Sequence, residues 1–111
     1  MSQVARIVSI ASVLCAIMPL PGIAVAGEHT VTQKNRAFSA SEITIKKGDT
    51  VIFLNDDDVP HNVVSTSPGN EFDLGKQVPG VETPVTFTAP GEVKVECLIH
   101  PRMQMRLKVA D

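Results

Sequence analysis

The chain has 111 residues, 43% of them hydrophobic and 20% charged, with ten Lys and Arg against twelve Asp and Glu, two cysteines, three histidines and no Trp or Tyr. That is enough chain for one domain with a modest core. It is mildly acidic, and without a basic stripe interleaved with aromatics it does not read as a nucleic-acid binder.

Residues 1–26, MSQVARIVSIASVLCAIMPLPGIAVA, run from one basic residue, Arg6, through an apolar stretch to PLPG and then small residues at Ala24 and Ala26. This is the layout of a secretory signal with an A-x-A cleavage site, and cleavage is expected after Ala26. Pro19, Pro21 and Gly22 leave the apolar span too short to cross a bilayer, so stable membrane insertion is not expected. The exported domain would run from Gly27 to Asp111 and keep only one cysteine, Cys97. In an oxidising compartment a thiol without a disulfide partner is a liability unless it is buried, metal-bound or chemically used.

From residue 27 onward short apolar alternations are broken by turn residues, which predicts an all-β sandwich with Greek-key connections. EITIKKGDTVIFLND reads as two strands joined at KKGD, with Ile43 and Ile45 on one face of the first and Val51 and Phe53 on one face of the second. HNVVS is a further short strand. Residues 66–83, rich in Gly, Pro and Asn, read as irregular loop with one edge strand at most. PVTFTAPG is a strand ending in a turn, and GEVKVEC places Val93, Val95 and Cys97 on one face. MQMRLKV closes the domain with Met103, Met105, Leu107 and Val109 inward and Gln104, Arg106 and Lys108 outward. The four phenylalanines, Phe38, Phe53, Phe72 and Phe87, are scattered and read as core. No segment of this part has a helical period.

VECLIHPRMQM carries the chemistry. Cys97 ends one strand and Met103 starts the next, so His100 lies in the tight connection, which Pro101 sharpens. A short loop between neighbouring strands aims a thiol, an imidazole and a thioether at one point on the rim of the sandwich. That is a metal site lacking one donor. His61, just after the strand TVIFLN, can reach it along a Greek-key path; a thiolate, two imidazoles and a weak thioether are the donor set of a blue-copper centre. Met103 and Met105 share a face, so parity does not separate them. Counting from Met103 leaves Leu107 and Val109 in the apolar positions that follow, which favours Met103 as axial donor and keeps Met105 as the alternative.

PHNVVS followed by CLIHPRM resembles the cupredoxins, and its spacing is similar to that of the amicyanins; plastocyanins and pseudoazurins place four residues rather than two between the last His and the Met. The resemblance extends over KKGDTVIFLND, NEFDLG and APGEVKVEC. It implies a β-sandwich holding one copper ion on His61, Cys97, His100 and Met103. It also implies a supporting role for Asn62, whose side chain would tie the two ligand loops together beside the thiolate, and for Pro60 and Pro101 beside the histidines. The chain departs from the family in lacking the Tyr that often flanks the cysteine strand, and in placing Arg102 where amicyanins commonly have a bulky apolar residue.

Two functions follow as expectations. The first is a monomeric periplasmic or secreted carrier of single electrons, not an enzyme, that meets redox proteins transiently through His100, Leu98, Ile99 and Pro101. The second is copper buffering, delivery or resistance by the same domain. If cleavage falls after Ala26, a free amine, two amides and the imidazole of Gly27, Glu28 and His29 could also hold Cu(II) in a square plane; the alternative there is a frayed terminus. Asp56, Asp57 and Asp58 read as a solvated turn in preference to an acidic docking patch.

Overall fold

A computed structural model describes residues 26–111, so the expected leader lies outside the described residues apart from Ala26. Nine strands follow: β1 (Glu28–Lys34), β2 (Ala37–Phe38), β3 (Glu42–Lys46), β4 (Thr50–Asn55), β5 (His61–Ser65), β6 (Phe72–Gln77), β7 (Glu82–Thr86), β8 (Gly91–Glu96) and β9 (Gln104–Ala110). They form two mixed sheets, one in the order β2-β1-β4-β7 and the other β3-β9-β8-β5-β6. Among the described residues no helix is long and apolar enough to cross a membrane.

The period-2 pattern acts as expected. In β9 the residues Met105, Leu107 and Val109 are buried and their neighbours exposed; Val93 and Val95 of β8 face the same interior. With Val31, Ile45, Val51, Phe53, Val63 and Phe87 they make one core between the sheets. Phe72 packs against Phe53 and Phe87, its ring centroid 5.8 Å from each. Each such side chain contributes about 1.5–3 kcal/mol through burial.

Two regions differ from the sequence reading. The stretch from 66 to 83 holds a full edge strand, β6, and the start of β7. Its alternation is hidden by a break in register between β5 and β6: Asn62 pairs with Lys76 and Val64 with Asp73, so two residues, Leu74 and Gly75, oppose Val63. Gly75 takes the left-handed φ of 64° that such a bulge favours. The segment after Gly27 is not frayed either. β1 lies inside its sheet, parallel to β4 in the register Glu28 to Thr50 and antiparallel to β2.

The β1–β2 hairpin turns on Asn35 and Arg36, with φ of 52° and 56°. Asn adopts this conformation readily, whereas for Arg it costs about 1–2 kcal/mol. That cost is offset by a bond from the Arg36 N–H to Asp57 Oδ2, 2.9 Å long.

Near this hairpin the interior becomes polar. Gln33 Nε2 donates to Gln77 Oε1 at 2.7 Å, and Gln77 Nε2 donates to the Phe53 carbonyl and Thr83 Oγ1. Asn55 Nδ2 donates to the carbonyls of Val59 and Gln77. These buried bonds tie β1 and β4 of one sheet to β6 of the other, and they fix the segment that leads into His61.

Candidate metal centre

His61, Cys97 and His100 are brought together, their donor atoms all within 4.8 Å of one another. Cys97 Sγ lies 3.9 Å from His61 Nδ1 and 3.8 Å from His100 Nδ1. A sulfur at about 2.3 Å and a nitrogen at about 2.1 Å from one metal stand about 3.6 Å apart in a tetrahedron and about 3.8 Å apart in a trigonal plane. The spacing therefore fits one ion held near a trigonal plane, the arrangement His₂Cys copper sites adopt.

His61 opens β5 and is fully buried. Its Nε2 lies 2.9 Å from Asp57 Oδ2. Asp57 accepts N–H groups from Arg36, His61 and Asp58, the Arg36 bond contributing most, and these hold its carboxyl well below the ordinary carboxylate range. An ionised carboxylate can only accept, so Nε2 carries the ring proton and Nδ1 turns its lone pair toward Cys97. The acidic turn is thus split: Asp56 and Asp58 are exposed, as expected of a solvated turn, but the Asp57 side chain keeps only 6% of its surface. Sequence reasoning missed this residue. The signal available was its position four residues before His61, too common a spacing to stand out.

Cys97 is buried just beyond β8. Its N–H donates to the Met103 carbonyl at 3.0 Å and the Met103 N–H to the His100 carbonyl at 2.9 Å, so the 97–103 loop is closed twice by its own backbone. His100 is half-buried, and its ring meets that of His61 edge to face with centroids 5.0 Å apart. Pro101 is exposed and its carbonyl accepts from Gln104 Nε2; Pro60 is half-buried and directly precedes His61.

Asn62 contacts the thiol through its backbone, whose N–H lies 3.3 Å from Cys97 Sγ. This corrects the expected role of its side chain: Nδ2 donates to Asp73 Oδ1 and the Gly75 carbonyl, gripping the β6 bulge, and Oδ1 is buried without a partner. The backbone contact is possible because β5 pairs with β8 only at Val64 and Glu96, leaving the Asn62 N–H outside that ladder. Bonds from the Gly75 N–H and then from Asn62 keep the Asp73 carboxyl below its ordinary range.

The two methionines are both buried but sit differently. Met105 belongs to the apolar core, whereas Met103 lies outside that cluster and lines a hollow with His100. At the far end of β1, Gly27 N–H and His29 Nε2 both bond Asp49, at 2.7 and 2.9 Å.

Two sheets packed face to face, with a thiol and two imidazoles gathered at one rim, define a cupredoxin-type copper site. The chain belongs to the plastocyanin/azurin family of copper-binding proteins, whose model matches residues 25–110. It is 35% identical over 87 residues to amicyanin-alpha of Methylorubrum extorquens, covering 76% of this chain and 73% of that one. It is 33% identical over 87 residues to the methylamine utilization protein MauL of Methylophilus methylotrophus, covering 76% of this chain but only half the length of that protein. Among solved structures, a copper-containing nitrite reductase from Thermus scotoductus superposes with a TM-score of 0.71 at 26% identity, over 85% of this chain and 25% of that one. A reduced amicyanin variant gives 0.66 at 28% identity, over 75% of this chain and 82% of that one.

Proposed function

We propose that this chain is a periplasmic or secreted carrier of single electrons and not an enzyme, with one copper ion on His61, Cys97 and His100 and Met103 as weak axial donor. The observation that carries the reading is the thiol–imidazole triangle, already spaced for a trigonal ion, with His61 oriented by Asp57 and the sulfur receiving the Asn62 N–H. Copper supplies a one-electron couple when bound. The chain supplies rigidity: a loop closed by its own backbone and a buried imidazole held by a carboxylate leave the donors little freedom to rearrange between charge states. Met103 suits the axial position because it borders His100, whereas Met105 is engaged in the core. Four protein donors leave no open position for a substrate.

A second, Cu(II)-specific site at Gly27, Glu28 and His29 would require those residues to leave β4 and Asp49. Copper handling remains the alternative function, and it would show as metal transfer to a competing chelator faster than electron self-exchange. The primary test is titration of the purified protein with Cu(II), followed by visible and electron paramagnetic resonance spectra. An intense thiolate-to-copper band with narrow hyperfine splitting, saturating at one equivalent and lost in a folded Cys97→Ser variant, is expected. A pale complex, or a band that persists in the variant, would overturn the reading.

A further inference from the structure

We propose that the redox partner presents a carboxylate-rich surface, received by the Arg36 and Arg102 guanidiniums beside His100. This rests on the electron-carrier reading and adds the charge of the partner to it. Arg36, His100, Pro101, Arg102 and Met103 line an open hollow of about 410 Å³. The two arginines come from different parts of the chain, the β1–β2 hairpin and the 97–103 loop, and both are exposed. Among the described residues Lys34, Lys94, Arg106 and Lys108 each face a carboxylate; Arg36 and Arg102 do not, nor do Lys46, Lys47 and Lys76, but of these five only the two arginines line the hollow beside His100.

The surrounding charges sharpen the contrast. Residues 27–111 carry nine Lys and Arg against twelve Asp and Glu, so the domain as a whole is negative. The nearest acidic groups are engaged: Asp57 is turned onto His61 and the Arg36 N–H, and Asp56 faces Lys34 at 3.8 Å, leaving Asp58 as the exposed carboxylate of that turn.

Arg36 is placed with some care. Its left-handed backbone is held by the same Asp57 oxygen that holds His61, so the guanidinium stays near the edge of the copper site. The adjoining Leu98 and Ile99 are 64% and 51% exposed. An apolar collar with two free guanidiniums suits a small, transient interface in which charge governs encounter, and Arg receives a carboxylate in two-point geometry.

The test has two arms. In the first, stopped-flow oxidation of the Cu(I) protein by hexacyanoferrate(III) and by tris(phenanthroline)cobalt(III) is followed as ionic strength rises. The hexacyanoferrate rate is expected to fall at least about threefold between low and physiological salt, although the domain is negative overall, and Arg36→Gln/Arg102→Gln is expected to lower it by a similar factor in dilute buffer while sparing the cobalt reaction. In the second, a hexaglutamate peptide is titrated into the metal-free chain by NMR. Shifts are expected at the amides of Arg36, His100 and Arg102, and none with hexalysine. A blue protein whose hexacyanoferrate rate rises with salt, or is unchanged in the double variant, overturns the docking proposal alone, as do peptide shifts confined to another face. A chain that gives no visible copper band overturns the electron-carrier reading and this proposal with it.

Discussion

Replacing Asp57 by Asn tests whether the site is pre-oriented or assembled by the metal. Asp57 receives three donors: Oδ2 takes the His61 Nε2–H and the Arg36 N–H, each at 2.9 Å, and Oδ1 takes the Asp58 N–H at 2.9 Å. Asn has one acceptor oxygen. Placed at Oδ2 it keeps the first two but turns an NH₂ onto Asp58; reversed, it turns that NH₂ onto both His61 and Arg36. Either way a group buried beside the ligand loses its acceptor, or a neutral oxygen replaces the charged one that fixes the His61 tautomer. Loss of such a support weakens metal binding by about 10–100-fold. The assay is competition for Cu(I) and Zn(II) against a chromophoric chelator near pH 7, alongside melting of the metal-free protein. An affinity within twofold of the parent, in a variant that remains folded, would show that Asp57 does not orient His61 and would refute the argument.

Met103→Leu should keep the intense visible band and raise the reduction potential, because a weak donor to the oxidised ion is removed, while Met105→Leu should leave the potential nearly unchanged; voltammetry showing the reverse would exchange their roles. Acidification should expose Asp49, whose carboxyl is held at about 2 by His29 and by the backbone N–H groups of Lys46 and Gly27. Since this lies below the unfolded value of about 3.9, Asp49 contributes stability that is complete above about pH 4 and fades as pH falls toward 2. Asp49→Asn should flatten urea denaturation across that window, and an unchanged pH profile would contradict the assignment. Leu107→Ala, a fully buried truncation in β9, should cost about 2–5 kcal/mol by urea denaturation, with a smaller loss indicating that the core closes around the void.

What the sequence made legible follows from how local the determining physics is. β3, β4, β8 and β9 stand out because each alternates over its own length and is bounded by its own turn residues. Cys97 and His100 stand out because two ligand-type side chains sit in one hairpin, and His61 because few other imidazoles compete with it. β6 was harder to read: its bulge breaks the period at Leu74 and Gly75, and Gln77 faces inward as a polar residue. β1 was obscured in the same way by its buried Gln33, whose partner Gln77 lies 44 residues away. Asp57 turns inward to meet the His61 imidazole and the Arg36 N–H, the latter from a different hairpin, distant in sequence. Asn62 acts on the thiol through its main chain, so its residue type alone does not disclose that contact.

The place of β9 in its sheet bears on how the protein can be made. This strand lies between β3 and β8, so the five-stranded sheet has a gap until Gln104–Ala110 has been synthesised. The loop from Cys97 to Met103 closes only when Met103 arrives, since the bond from the Cys97 N–H ends on the Met103 carbonyl. Until then the thiol lacks the burial and the neighbouring imidazole that the finished hairpin gives it. A chain held at that stage in an oxidising compartment would expose Cys97 to oxidation and to disulfide exchange with other chains. In such a compartment the yield of active protein would depend in part on how soon the seven residues of β9 dock relative to oxidation of that one thiol.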